Sequence, residues 1–289
     1  MRHVQLRAFH HVALSGSFSR AAENLHVTQP AISDQIRKLE QDYDILLFNR
    51  AKRQVTLTPF GEELLVITRR LFDAEDQAHQ LLSESRALQG GTLRIIADSA
   101  AHVLRVLAQF RTRHPGVKVT IRAGNSQQVM ESLHAFDADL GVIGEVPEGE
   151  TFDHVRLNAT PIVAFMARSH PLAHRRKLAL ADLPGQALVL RERGSKTRTK
   201  LEQAAALAGI TLEPAIEAEG REAIREIVAS GAGLGFVSGA EFIPDARLVS
   251  VPLEGGDVLM MQEALICLRE RRNGKLVRAF VQMAREATE

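Results

Sequence analysis

Along the first 60 residues the apolar positions recur with the period of a helix. In "VTQPAISDQIRKLEQDY", residues 27 to 43, Ile32, Ile36, Leu39 and Tyr43 fall at spacings of four, three and four, which predicts a helix with one buried face. The opposite face opens with Gln29, Pro30, Ser33 and Arg37, a short polar stripe where a surface helix more often carries Glu and Lys pairs. Upstream, Val4 to Ser15 reads as a first helix with Leu6, Phe9 and Ala13 on one side. Ser17 or Ser19 can cap a second through Ala21, Ala22 and Leu25, and the two alanines admit another helix closely. Thr28 is placed to cap the third, with Pro30 in its first turn. Short helix, tight turn, longer helix with an unpaired polar N-terminal face is helix-turn-helix geometry. "ILLFNRAKRQVTLT" then predicts two strands around a basic turn, a wing.

Thr58-Pro59 opens the next helix. Phe60, Leu64, Ile67, Leu71, Ala74, Ala78, Leu81 and Leu88 follow alternating spacings, with Ser85 the polar member of the series. A seam this narrow over about 30 residues predicts a coiled coil and self-association through it, the alternative being a helix packed along its own C-terminal domain. Gly90-Gly91 breaks the helix. Beyond it "TLRIIAD", a helix from Ser99 to about Arg113, "VKVTIRA", a helix from Ser126 to Phe136 and "DLGVIGE" alternate as βαβ units of a parallel sheet. A second cycle starts near Pro161 with "PIVAFMAR" and runs through "ALVLRE", a helix after Gly194-Ser195, "PAIEAEG", a helix from Arg221 and "GLGFVS". "MQEALICLRE" and a terminal helix Gly274–Ala287 return to the first lobe. The expected divisions are 1–58, a winged domain; 59–91, a linking and dimerising helix with its hinge; and 92–289, two α/β lobes (about 92–160 with 265–289, and about 161–264) separated by a cleft.

Composition narrows the class. A chain of 289 residues suits two or three domains, and 45% apolar with 25% charged residues is ordinary for a soluble protein. The N-terminus lacks a signal-like apolar core and no run approaches the roughly 18 apolar residues of a spanning helix, so a cytoplasmic location and no membrane partner are expected. Cys267 is the single cysteine, which excludes an internal disulfide, and its setting in "ALICL" predicts a buried, inert thiol. The net charge of +1 hides a local asymmetry. No acidic residue lies between Ile45 and Gly61, while Arg50, Lys52 and Arg53 cluster in the wing, as a phosphate footprint or as a solvated basic loop.

The N-terminal residues "FSRAAENLHVTQPAISDQIRKLE", "LLFNR" and "VTLTPFGEELL", with the long helix behind them, resemble the winged helix-turn-helix of LysR-type transcriptional regulators. The resemblance extends over the whole chain. It implies an α/β protein with an N-terminal winged helix-turn-helix, a long dimerisation helix and a C-terminal two-lobed effector domain resembling type 2 periplasmic binding proteins. It also implies double-stranded promoter DNA as partner, assembly as a dimer or dimer of dimers, RNA polymerase as a further candidate partner, no cofactor and no enzymatic activity. On this reading Thr28 starts the helix that enters the major groove. Gln29 can present a bidentate amide to adenine, Pro30 an apolar surface to a thymine methyl, Ser33 a hydroxyl, and Arg37 a guanidinium to phosphate or guanine. Arg50, Lys52 and Arg53 supply sequence-independent attraction. Asp34 departs from the commoner family pattern of a basic or amide residue. Either it accepts from a cytosine amino group or it holds Arg37 in place.

Three segments converge on the expected cleft: Ser99 after the first strand, Asn125-Ser126 after the second, and "RGSKTR", with Ser195, Lys196, Thr197 and Arg198, before a helix of the second lobe. With Arg221, they predict a site for a small anion, because helix N-termini and cations both favour negative charge. Routine caps with solvated cations are the alternative. "FNRAKRQV", "LLSESRALQGGTLRI", "GNSQQV" and "EGREAIREIVASGAGLGFVS" further resemble family members associated with 2-aminoethylphosphonate catabolism, which suggests a phosphonate or phosphate-like effector.

Competing functions fare worse. "GAGLGF" runs from helix into strand, the reverse of a dinucleotide-binding loop. His3, His10, His11 and His26 have no zinc-ligand spacing, and no GxSxG is present. A cytoplasmic solute-binding protein would share the two lobes but not the winged domain, and a carboxylate-sensing regulator of other metabolism would share both.

Overall fold

The computed structural model describes residues 1–49, 55–82 and 90–288, in two compact units, Met1–Glu84 and Ser85–Glu289. In the first unit, α1 (His3–Ser15), α2 (Phe18–Leu25) and α3 (Gln29–Tyr43) precede the paired strands β1 (Phe48–Asn49) and β2 (Thr56–Leu57) and the long helix α4 (Pro59–Leu82). Gly16, His26 and Asp44 close the first three helices in left-handed conformation, turning the chain within one or two residues each time. Ser17 accepts from the Arg20 N–H and caps α2. Phe9, Val12, Ala21, Ile32, Ile36 and Leu39 form the core. Tyr43, assigned by its spacing to the buried face, is 51% exposed. The helix ends there, and Glu40 closes the face instead, its carboxylate accepting from the Leu47 N–H at 2.8 Å. At the start of α4, a Cβ on Gly61 would meet the Leu47 carbonyl oxygen at 2.3 Å, so only glycine lets this helix lie against the wing.

The second unit carries a nine-stranded sheet in the order β4-β3-β5-β11-β6-β9-β7-β8, with β10 also on β6. Its strands are β3 (Thr92–Ala97), β4 (Lys118–Ala123), β5 (Leu140–Ile143), β6 (Phe152–Ala167), β7 (Leu188–Arg191), β8 (Pro214–Ala218), β9 (Leu234–Ser238), β10 (Leu248–Pro252) and β11 (Met260–Leu268). The helices are α5 (Leu104–Arg113), α6 (Ser126–His134), α7 (Lys196–Leu207), α8 (Arg221–Ala229) and α9 (Lys275–Thr288). One lobe packs α5 and α9 on one sheet face, through Leu93, Ile95, Phe110, Leu140 and Phe280, and α6 on the other, through Ile96, Val129 and Leu133. The other lobe packs α7 over Met166, Leu190 and Leu201, and α8 over Phe165, Val189 and Val228. Mixed α/β architecture is thus confirmed.

Several boundaries differ from the sequence expectation. The strand assigned from Pro161 begins at Phe152 and runs 16 residues, pairing with β11 in its first part and with β9 and β10 in its second. In its first half only Phe152 and Val155 are buried, among residues that are polar or partly exposed, so it lacks the continuous apolar run by which a doubly buried strand is read. Strand β10 was not anticipated. The helix predicted from Ser99 is a 3-10 turn, Ala100–Val103, followed by α5, and α6 stops at His134 because Phe136 adopts φ 56°. Cys267 is buried in the first lobe, and burial pushes its thiol up to about 11. Among the described residues, no helix is long and apolar enough to cross a membrane. A Cβ on Gly233 would meet the Ala187 carbonyl oxygen at 2.2 Å, which accounts for a glycine of "GAGLGF" by close packing.

Candidate nucleic-acid interface and effector cleft

The exposed side of α3 presents Thr28, Gln29, Pro30, Ser33 and Arg37. Thr28 makes no side-chain capping bond, so the positive end of the helix is open to an anion. Asp34, partly buried, bonds Arg37 Nη2 at 2.8 Å and Lys38 Nζ at 2.7 Å. Hydrogen bonds from Lys38 and then Arg37 hold its carboxyl below the usual range. Of the two roles open to Asp34 from sequence, this geometry has it holding Arg37. Arg50, Lys52 and Arg53 lie outside the described residues, between strands whose pairing is secured by Asn49 Nδ2 donating to the Leu57 carbonyl at 2.7 Å.

In the second unit a cavity of about 790 Å³ lies between the lobes. Ser99, Asn125 and Arg221 line it. Asn125 caps α6 by accepting from the Gln128 N–H at 3.1 Å, and its Nδ2 reaches the Arg193 carbonyl of the other lobe at 3.3 Å. Ser126 is buried beneath the surface and donates to Asp98 Oδ2 at 3.1 Å. Neither Ser126 nor the other four candidates are among the lining residues. Ser195 is buried with its hydroxyl unbonded. Thr197 is buried in α7. Lys196 binds Glu145, as does Lys200 at 2.7 Å. Arg198 is held by Glu202 at 2.8 Å, Glu217 at 2.7 Å and the Arg191 carbonyl.

Sequence reasoning missed the centre of this arrangement. Asp98, at the end of β3, receives Arg221 Nη1 at 2.9 Å across the cleft, and Arg221 Nε reaches Glu241 Oε2 at 2.7 Å. Burial opposes the charge on Arg221, but Asp98 and Glu241 together hold its pKa above the ordinary value. Arg191 forms a two-pronged pair with Glu192, at 2.8 and 2.6 Å. Burial disfavours the Glu192 carboxylate, yet Arg191 and the Gly220 N–H bring its pKa down to about 2. The position of Asp98 just past the carboxyl end of β3, where the strand order reverses between β4 and β5, was the one available signal for it. Nothing local marks Glu241.

A winged helix-turn-helix ahead of a two-lobed α/β unit with a cleft defines a DNA-binding regulator with its own ligand domain. The family model "Bacterial regulatory helix-turn-helix protein, lysR family" matches residues 3–62, and "LysR substrate binding domain" matches residues 86–289. The chain belongs to the LysR family of bacterial transcriptional regulators. It is 32% identical over 256 residues to the RuBisCO operon transcriptional regulator of Allochromatium vinosum, covering 87% of this chain and 85% of that one. Full-length CbnR complexed with its target DNA superposes with a TM-score of 0.69 at 23% identity, covering 99% of this chain and 100% of that chain. The Synechocystis PCC6803 CcmR regulatory domain in complex with 2-PG gives 0.62 at 22% identity, covering 69% and 98%. At these identities the two structures establish likeness of fold.

Proposed function

We propose that this protein reads promoter DNA in the cytoplasm through Gln29, Pro30, Ser33 and Arg37 of α3, and that a small anionic effector entering the interlobe cleft changes how it does so. The observation that carries the reading is the ion-paired cleft. Its volume suits a small molecule, and Arg122, Arg191, Arg221 and Arg225 line it, each already bonded to a carboxylate. An anion therefore binds by exchanging with a resident carboxylate, above all with Asp98 for Arg221. Ser99 and the turn it opens add hydrogen-bond donors at the same wall. Because Asp98 and Glu192 stand beside these arginines, a ligand carrying an ammonium as well as its anion suits the site, which supports 2-aminoethylphosphonate as one candidate. The CcmR regulatory domain, similar in fold, is known in complex with 2-PG, which supports testing that compound too.

The long helix supports self-association. Phe60, Ile67, Leu71, Ala74 and Ala78 are exposed along one side of α4, while Leu65, Thr68 and Phe72 face α1, where Thr68 bonds His10 at 3.1 Å. A second copy laid along the exposed stripe gives the dimer, and two dimers give the tetramer; RNA polymerase is the further partner at the promoter. Thermal-shift measurements with 2-aminoethylphosphonate, 2-PG, phosphate, phosphonoacetate and unrelated carboxylates test the cleft. Stabilisation by a phosphorus-containing anion, lost in Ser99→Ala, is expected. Stabilisation by carboxylates alone would make it a carboxylate sensor, and solute binding without any operator preference would make it a solute-binding protein.

A further inference from the structure

Three side chains that no spacing connects meet where the two lobes join. His102 lies in the turn Ala100–Val103, Glu241 ends a 3-10 turn after β9, and Glu263 stands on β11 opposite Asn158 of β6, beside a break in strand register. His102 Nε2 is 2.9 Å from Glu241 Oε1 and 3.8 Å from Glu263 Oε1, and one donor atom from each residue lies within 4.8 Å of the others. The three side chains are 3%, 3% and 2% exposed.

Glu263 is the anomaly. Both of its carboxylate oxygens are buried, and no hydrogen bond of good geometry reaches them. Its polar neighbours are His102, Glu241 and Ser238; the Ser238 hydroxyl, which shares a 2.7 Å hydrogen bond with Thr160, favours the charged form but is a single neutral donor beside a buried charge. Arg221 is committed to Asp98 and Glu241. A carboxylate so placed needs either a proton or a cation. Burial does push the Glu263 carboxyl up. A second orphan lies beside it: Asn158 Nδ2 is 3.0 Å from His102 Nδ1, and Asn158 Oδ1 is buried and unbonded. Turning the amide over puts Oδ1 on the His102 Nδ1–H, which satisfies both groups. The Nε2 lone pair then faces the two carboxylates, the orientation of a metal-binding histidine steered by an outer partner.

We propose that His102 Nε2, Glu241 Oε1 and Glu263 form a site for a divalent transition metal of the zinc type that ties the two lobes together, with water as the remaining ligand. One nitrogen and two oxygens are a fitting donor set for such an ion. Donor atoms bound tetrahedrally at 2.0–2.1 Å lie about 3.4 Å from one another, between the 2.9 and 3.8 Å separations found here. The ion neutralises Glu263, and Glu241 keeps its other oxygen on Arg221, so the metal and the cleft share one carboxylate.

The test is calorimetric titration of the chelator-treated full chain with Zn2+, with Mg2+ as control. One Zn2+ per chain is expected, weakened by roughly 100-fold or more in Glu263→Gln and in Glu241→Gln, since each removes a direct ligand where outer partners alone give 10–100-fold. Should Glu263→Gln fail to fold, Glu241→Gln and anomalous diffraction from zinc-loaded crystals decide, with the peak expected among the three side chains. Equal zinc affinity in wild type and variants, binding no tighter than that of Mg2+, or a peak elsewhere would overturn the proposal.

Discussion

The polar stripe of α3 and the interlobe cleft use similar side chains under opposite conditions. Gln29, Ser33 and Arg37 stand exposed, and Arg37 has a partner only one turn away. Ser126, Asp98, Arg221 and Glu241 are bonded to one another across two lobes, at the largely buried wall of the cleft. The first arrangement keeps hydrogen-bonding capacity for base edges and adds little to the stability of the fold. In the second, an anion bound as proposed would displace internal contacts, so that a ligand would shift the lobe arrangement only by its differential affinity for two states.

Replacing one arginine in each region should separate the two most widely. Arg221→Ala removes the cation that Asp98 and Glu241 share, leaving Ser126 at 3.1 Å and Arg191 at 3.9 Å beside the first and His102 at 2.9 Å beside the second, which should cost about 3 kcal/mol of unfolding free energy in denaturant melts. Arg37→Ala, at an exposed site, should stay within about 0.5 kcal/mol. Equal effects would mean that the cleft network contributes no more than a surface pair. Next in size are Gln29→Ala and Ser33→Ala. Each should lose about 1–3 kcal/mol of discrimination between operator and scrambled DNA at one salt concentration, with nonspecific binding retained. Unchanged selectivity would remove α3 as the reading element.

Acid provides a finer test. The Glu192 carboxyl lies at about 2 against an ordinary 4.5, so its pairing with Arg191 stabilises the folded state fully above about 4.5. That contribution is lost as pH falls from 4.5 towards 2, and Arg191→Ala should flatten the stability profile in that window; an identical profile would show the pair to be inert. The smallest effect is assigned to Asp34→Asn, which releases Arg37 and Lys38 to phosphate. Binding should strengthen by less than about tenfold, with a steeper salt dependence. Weaker binding to cytosine-containing sites alone would mean that Asp34 reads a base.

The same contrast explains what could be read from sequence. The helix-turn-helix was legible because its buried face repeats within one helix, as Ile32, Ile36 and Leu39 do, leaving the polar stripe visible by subtraction. Tyr43 failed only because the helix ends beneath it. The βαβ alternation of the second unit was legible from its apolar runs, whereas the half-exposed start of β6 and all of β10 were not. In the cleft, Ser99, Asn125 and Arg221 could be nominated because each opens a helix or turn. Their partners could not, since Asp98, Arg191 and Glu241 meet only through tertiary folding. Lys196 and Arg198 read locally as available cations, yet Glu145, Glu202 and Glu217 already hold them.

Footprinting of the protein on its own promoter fragment shows whether an anion in the cleft alters DNA binding. With 2-aminoethylphosphonate or 2-PG added, the wild-type footprint should change in extent or affinity. DNA should change the anion's affinity by the same factor, and Ser99→Ala should show neither response. A bound anion that leaves both footprint and affinity unchanged would contradict the account.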